Sequence, residues 1–402
     1  MIMKKPRIFI NLHYLELGGA ERALLGLLNA LDTNKVDVDL FLNQHTGAFM
    51  PLIPDKINLL PEISAYSAIE RPMRSILYEG HLGILLGRLI GKYRHKKYLK
   101  SIGKTRDGSA TQYAFDGVLP FLPSLKHFGH YDMAISFLDP PHIVQDKVDA
   151  DIKMEWIHAD WSTIDVNENL VASRWGRNDF IVSISEHVGE RFLKRFPQFK
   201  DKIIEIHNIL SPSFVKDQAA QSVDFGDFNR NGITLCSVGR IAYAKNFDNL
   251  PHIAKILKEK GLTFHWYVIG PGNLGEISQT IWEDDVNDCL HFIGAKSNPY
   301  PWMQACDIYV QPSRYEGHSV TVREAQILGK PVIITNYPTA KSQVLDGADG
   351  IICGMDNQSI AEAIYTLAND KNRQQSLTEY VTSHDYGNEH EVKKIYKLLN
   401  IA

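Results

Sequence analysis

Two cations five residues apart, Arg240 and Lys245, stand in Val238-Gly239-Arg240-Ile241-Ala242-Tyr243-Ala244-Lys245-Asn246, where an apolar run gives way to a turn. A guanidinium fork and an ammonium point charge suit the two phosphates of a nucleotide diphosphate, at roughly 1.5–3 kcal/mol per charge-assisted hydrogen bond. A solvated pair of surface charges is the other reading. Further on, Pro312-Ser313-Arg314-Tyr315-Glu316-Gly317-His318-Ser319-Val320-Thr321-Val322-Arg323-Glu324 sets two carboxylates eight residues apart. The spacing predicts Glu316 in a loop and Glu324 inside a helix capped by Ser319 or Thr321. N–H groups between them can face phosphate or sugar oxygens while the carboxylates accept from hydroxyls, which is polyol recognition. Two unrelated surface glutamates are the plainer alternative.

Glycines mark two more turns. In Glu16-Leu17-Gly18-Gly19-Ala20-Glu21-Arg22 they stand where strand becomes helix, either to let backbone N–H groups approach a phosphate or to make a tight turn. A literal G-x-G-x-x-G, Gly270-Pro271-Gly272-Asn273-Leu274-Gly275, follows the second strand of its domain, and the next strand ends without an acidic residue, which argues against a dinucleotide. Trp156-Ile157-His158-Ala159-Asp160-Trp161 ends a strand, leaving His158 as a core histidine or one near a reacting group. Asp37-Val38-Asp39 and Asp149-Ala150-Asp151 lead into strands, so no metal site is expected.

Short β-branched runs alternating with amphipathic stretches predict parallel sheets covered by helices on both faces, an α/β protein. Strands are expected at Arg7–Leu12, Val36–Leu42, Ile57–Leu60, Asp132–Leu138, Ile152–His158 and Phe180–Ser185, with a first helix over Ala20–Leu31. A second series comprises Thr234–Gly239, Phe264–Gly270, His291–Gly294, Asp307–Gln311, Pro331–Thr335 and Gly350–Cys353. The polar stretch 211–231 reads as a linker between domains at 1–210 and 232–384. Ligands of such sheets bind at the carboxyl ends of the strands, so the cleft between domains is the expected site.

A chain of 402 residues, 44% hydrophobic and 22% charged, is long enough for two packed domains. No apolar run nears the roughly 18–20 residues of a membrane span, and Met1–Arg7 holds no apolar leader, so a cytosolic protein is expected. The net charge of −4 gives no reason to bind nucleic acid. Cys236, Cys289, Cys306 and Cys353 lack C-x-x-C pairing and read as buried free thiols. Residues 71–106 stand apart, with ten Lys or Arg against Glu79 alone, among leucines and tyrosines. Such a stretch is either a solvated helical insertion or a surface for an anionic membrane.

The Gly18–Glu21 turn, the Gly239-Arg240 to Lys245 loop and the Glu316 to Glu324 spacing, in this order, resemble the family 4 retaining glycosyltransferases of the GT-B fold. The resemblance implies two Rossmann-like domains, the first on the acceptor side, and a final helix, 385–402, crossing back to the first. It implies that Arg240 and Lys245 hold the donor pyrophosphate, Glu316 the donor sugar and Glu324 the ribose hydroxyls. Gly317, His318, Ser319 and Val320 would face sugar and phosphates through their backbone, Gly294 and Ala295 would edge the base, and His158 would lie near the reacting sugar. The family commonly has an aromatic where this chain has His318. Retention is expected to need no protein nucleophile and no metal. The implied partners are a nucleotide sugar and a saccharide or lipid-linked saccharide, as in envelope polysaccharide assembly. A nucleotide-sugar 2-epimerase of the same fold, or a catalytically silent nucleotide-sugar-binding subunit, are the rival readings.

Overall fold

The computed structural model describes residues 5–159, 161, 164–222, 231–317 and 319–401. The strands in chain order are β1 Arg7–Leu12, β2 Asp37–Leu42, β3 Asn58–Leu59, β4 His130–Ser136, β5 Asp149–Ile157, β6 Phe180–Ser183, β7 Ile203–Glu205, β8 Ile233–Val238, β9 Phe264–Ile269, β10 Leu290–Phe292, β11 Ile308–Gln311, β12 Val332–Thr335 and β13 Ile351–Cys353. They form a seven-stranded sheet, β3-β2-β1-β4-β5-β6-β7, and a six-stranded sheet, β10-β9-β8-β11-β12-β13. Every pairing is parallel. The chain divides into Met1–Ile209 with Asn388–Ala402, and Leu210–Gly387.

Both faces of a parallel sheet are covered, so its central strands are apolar throughout. In β8 all six residues are buried, and in β1 all after Arg7. Each sheet grows first to one side of its opening strand and then to the other. The direction switches between β1 and β4 and between β8 and β11. At such points the loops leaving neighbouring strands diverge and open a crevice for ligands.

The first unit is closed by segments distant in sequence. The helix Gly19–Ala30 buries Ala23, Leu24, Leu27 and Leu28. Its Gly26 lies so near the Ile209 carbonyl that a Cβ would stand 1.9 Å from that oxygen. Beyond Asn388 the chain returns to this unit through the helix Val392–Leu398. The Asp32 N–H donates to the Tyr396 hydroxyl at 2.7 Å, and the His207 N–H donates to the Glu391 carboxylate at 2.9 Å.

Two expectations change. The stretch 211–231 opens with a helix, Pro212–Ala219, because Ser211 caps it and proline suits its first turn. Its Val215 joins the core of the second unit beside Tyr300 and Trp302. The sheet also gains β7, three residues too few to show a strand period. Asp149 and Asp151 lie within β5 and face His130 on β4, at 3.3 and 3.2 Å.

Candidate functional site

In the second unit the loops leaving β8 and β11 meet at the switch point. After β8 the chain makes a tight turn, Tyr243–Lys245, ended by Asn246 in the left-handed region at φ 60°. The Lys245 side chain runs beside Gly239, where a Cβ would meet its Cδ and Cε at 3.3 Å. Its Nζ reaches Glu316 Oε1 at 2.6 Å. That oxygen also accepts from Ser313 Oγ at 2.6 Å and from Gln311 Nε2 at 3.3 Å. Behind them Tyr309 and Thr321 donate to Gln311 Oε1, at 2.8 and 3.2 Å. One carboxylate oxygen is thus held by three donors, while the other takes no partner among the described residues.

A second network locks the two loops together. Arg314 makes a bidentate pair with Asp248 at 2.7 and 2.6 Å, and its Nη1 also donates to the Tyr243 carbonyl at 2.7 Å. Its guanidinium lies over the Tyr243 ring, 4.1 Å from the centroid, and its backbone N–H donates to the Ala244 carbonyl at 2.8 Å. The loop carrying Lys245 is therefore fastened to the loop carrying Glu316 by one side chain to which spacing alone gives no role. Two of the three glycines of the G-x-G-x-x-G act from beneath. A Cβ on Gly270 would stand 1.9 Å from the Gly239 carbonyl oxygen, and one on Gly272 2.5 Å from Ile241 Cβ. These glycines let the exit of β9 lie against that of β8, a packing duty.

The other expected residues divide. The Arg240 side chain is exposed and takes no partner among the described residues. Gly317 and Gly294 border open space, and a Cβ on either would meet nothing within 4 Å among the described residues. Gly294 sits at φ 73° beside the exposed Ala295, and its carbonyl accepts from the Gly270 N–H at 3.0 Å. His318 and Asp160 lie outside the described residues. Ser319 is buried and its N–H donates to Gln343 Oε1 at 3.0 Å, so that N–H is not presented to a ligand. Val320 opens the helix Val320–Ile327, whose first N–H groups have no partner within the helix. Glu324 differs most from expectation: it is fully buried, and the Tyr300 hydroxyl donates to it at 2.7 Å.

In the first unit Gly18 precedes the helix Gly19–Ala30 in extended backbone, and a Cβ there would stand 2.1 Å from Glu21 Oε2. Gly19 is the first helical residue. Glu21 stands in the first turn of this helix, and burial raises the pKa of its carboxyl above the ordinary value. His158 follows β5, packed on Phe137 at 4.8 Å and hydrogen-bonded to the Phe137 backbone. Burial pushes its pKa down to about 4, so the imidazole is neutral at pH 7, and its Nε2 is buried without a partner among the described residues. His13, which follows β1, pairs with Glu70 at 3.0 Å. Asp139, which follows β4, is pushed up to about 6 by burial, although Trp175 Nε1 and Gln112 Nε2 donate to it. His13 and Asp139 sit at the ends of the two strands flanking the switch point and carry no motif that marks them in the sequence.

Residues 221–384, which span both loops of the second unit's switch point, match the family model described as glycosyl transferases group 1. The capsular polysaccharide biosynthesis glycosyltransferase CapM of Staphylococcus aureus is 32% identical over 208 residues, 49% of this chain and 54% of that one. The UDP-Gal:alpha-D-GlcNAc-diphosphoundecaprenol alpha-1,3-galactosyltransferase of Escherichia coli is 27% identical over 147 residues, 35% of this chain and 38% of that one. The chain thus spans about a third to a half of the length of these curated relatives. A variant of TarM from S. aureus, solved with fondaparinux, alpha-GlcNAc-glycerol and UDP, aligns over 98% of this chain and 100% of its own, with a TM-score of 0.65 and 12% identity. The two parallel-sheet, Rossmann-like domains are those of the GT-B fold, and residues 221–384 of the second are similar to the glycosyl transferases group 1 model.

Proposed function

We propose that this chain is a retaining glycosyltransferase that moves a hexose or N-acetylhexosamine from a nucleotide-diphosphate sugar, UDP-linked in the first instance, to a saccharide or lipid-linked saccharide acceptor in envelope polysaccharide synthesis. The observation that carries this reading is the Lys245–Glu316 pair at the β8/β11 switch point, inside the segment that matches the family model. UDP in the TarM complex and the activities named for CapM and the E. coli enzyme support the donor and acceptor classes.

In this reading the donor diphosphate takes Lys245 Nζ from Glu316 and engages the exposed Arg240. The freed Glu316 carboxylate, still held by Ser313 and Gln311, accepts from a sugar hydroxyl. The N-terminus of the helix Val320–Ile327 adds a favourable dipole for the diphosphate. As the glycosidic bond breaks, charge grows on the leaving phosphate, and fixed cations stabilise it more than they do the ground state. That phosphate takes the acceptor proton on the same face, so the anomeric configuration is retained and no protein nucleophile or metal is called on. Glu324 meets the ribose only when the Tyr300 hydroxyl gives way.

NMR-followed turnover of a UDP-sugar with a saccharide acceptor tests this. We expect a product with the donor's anomeric configuration, formed equally in chelator. Lys245→Ala or Arg240→Ala should lower turnover about a hundredfold, as ~2.7 kcal/mol of transition-state stabilisation requires. Inversion, undiminished turnover in both variants, or conversion of the donor without any acceptor would reject the proposal.

A further inference from the structure

The helix Leu82–Ser101 carries apolar residues on its outer face as well as its inner one. Glycines line its inner face: a Cβ on Gly87 would stand 2.6 Å from the Gly117 carbonyl oxygen, and one on Gly91 2.3 Å from that of Tyr113. Close backbone approach to the helix Ala110–Val118 thus accompanies the apolar packing of that face. Ile84 and Leu99 are buried on the inner side and Leu85 packs against the core, but three other leucines point outward. Leu82, Leu86, Leu89 and Tyr93, spaced i, i+4, i+7 and i+11 along one face, are 62%, 51%, 48% and 69% exposed. The same face continues into exposed Lys96, Lys97 and Lys100. Leu77 and Tyr78, in and at the end of the preceding helix Met73–Tyr78, add further exposed apolar surface at 52% and 88%. Arg88 turns inward and donates to the Arg71 carbonyl. An apolar patch of this kind on a water-exposed surface marks an interaction site.

We propose that this face docks on an anionic lipid surface, the leucines and Tyr93 entering the headgroup boundary while the lysines meet lipid phosphates. Charge complementarity selects this occupant: Lys92, Arg94, Lys96, Lys97 and Lys100 of this helix are exposed and make no ion pair among the described residues, in a chain of net charge −4. A second copy of the same basic face would repel it, and nucleic acid would leave the leucine stripe in water. Each near-surface lysine should contribute about fivefold in partitioning, the equivalent of ~1 kcal/mol. The inference does not depend on the transferase reading, since docking needs no donor.

Flotation of the full chain with phosphatidylcholine vesicles, with and without phosphatidylglycerol, is the test. The chain should float with the anionic vesicles and much less with the neutral ones, and added salt should weaken binding. Lys96→Glu/Lys97→Glu/Lys100→Glu should reduce partitioning at least a hundredfold, and Leu86→Ser/Leu89→Ser more than tenfold, both variants melting like the parent. No flotation with anionic vesicles overturns the proposal, as does flotation unchanged in both variants. So does sedimentation showing a dimer that Leu86→Ser/Leu89→Ser dissociates.

Discussion

Glu155 is fully buried near the end of β5, and neither carboxylate oxygen finds a hydrogen-bond partner among the described residues. The nearby Ser136 hydroxyl donates instead to the Leu138 carbonyl at 3.1 Å. Burial, and then the neighbouring Asp139, hold its pKa well above the carboxylate range. A folded-state pKa raised above the unfolded value means that the native chain binds the extra proton, so stability falls as pH rises between the two values. Glu155→Gln keeps the shape and removes the titration. Its melting temperature should move upward against the parent as pH goes from 5 to 8, and a constant difference across that range would refute the assignment. Glu155 carries no signature in the sequence, because its distinction lies in missing partners. Lys245 and Glu316 were legible as charged residues in strand-to-helix loops but not as partners of each other, because they stand far apart in the sequence. Glu324 was legible as a carboxylate on a helix but not as a buried one, because the hydroxyl that covers it comes from Tyr300, far away in sequence.

At the scale of elements, the strands could be read because doubly covered strands are apolar runs, and the observed ones lie within a few residues of expectation. What could not be read is how loops are fastened. Arg314 joins Asp248, Tyr243 and Ala244 across more than sixty positions, and nothing local announces the pairing. Arg314→Ala should therefore displace the Lys245 loop and weaken UDP binding about tenfold. Arg314→Lys should recover little, since a point charge cannot replace a bidentate fork. Equal UDP affinity in Arg314→Ala and parent would show that the loops hold without it. Glycine contacts make a second prediction at this scale. Gly26→Val would drive a side chain into the Ile209 carbonyl, and a loss of about 1–3 kcal/mol in denaturant melts is expected. An unchanged midpoint would mean that the helix shifts without cost.

At the scale of the molecule, each unit has its own parallel sheet and core, and the last residues, Asn388–Ala402, group with the first unit. Two melting transitions are expected. Removing residues 388–402 should lower only the first unit's transition, because Tyr396 and Glu391 serve Asp32 and His207 there. A nucleotide should stabilise only the second unit, by about 2.7 kcal/mol at a hundredfold excess over Kd, and raise its transition alone.

That ligand linkage leads to the central claim, that the β8 and β11 loops hold a nucleotide diphosphate through Arg240 and Lys245. Calorimetric titration of the purified chain with UDP, GDP and ADP, beside the Arg240→Ala/Lys245→Ala double variant, addresses it directly. The account predicts binding of UDP by the parent and a loss of at least a hundredfold in the folded variant. Well-folded parent protein that binds none of the three, or a variant that binds UDP as tightly as the parent, would contradict it.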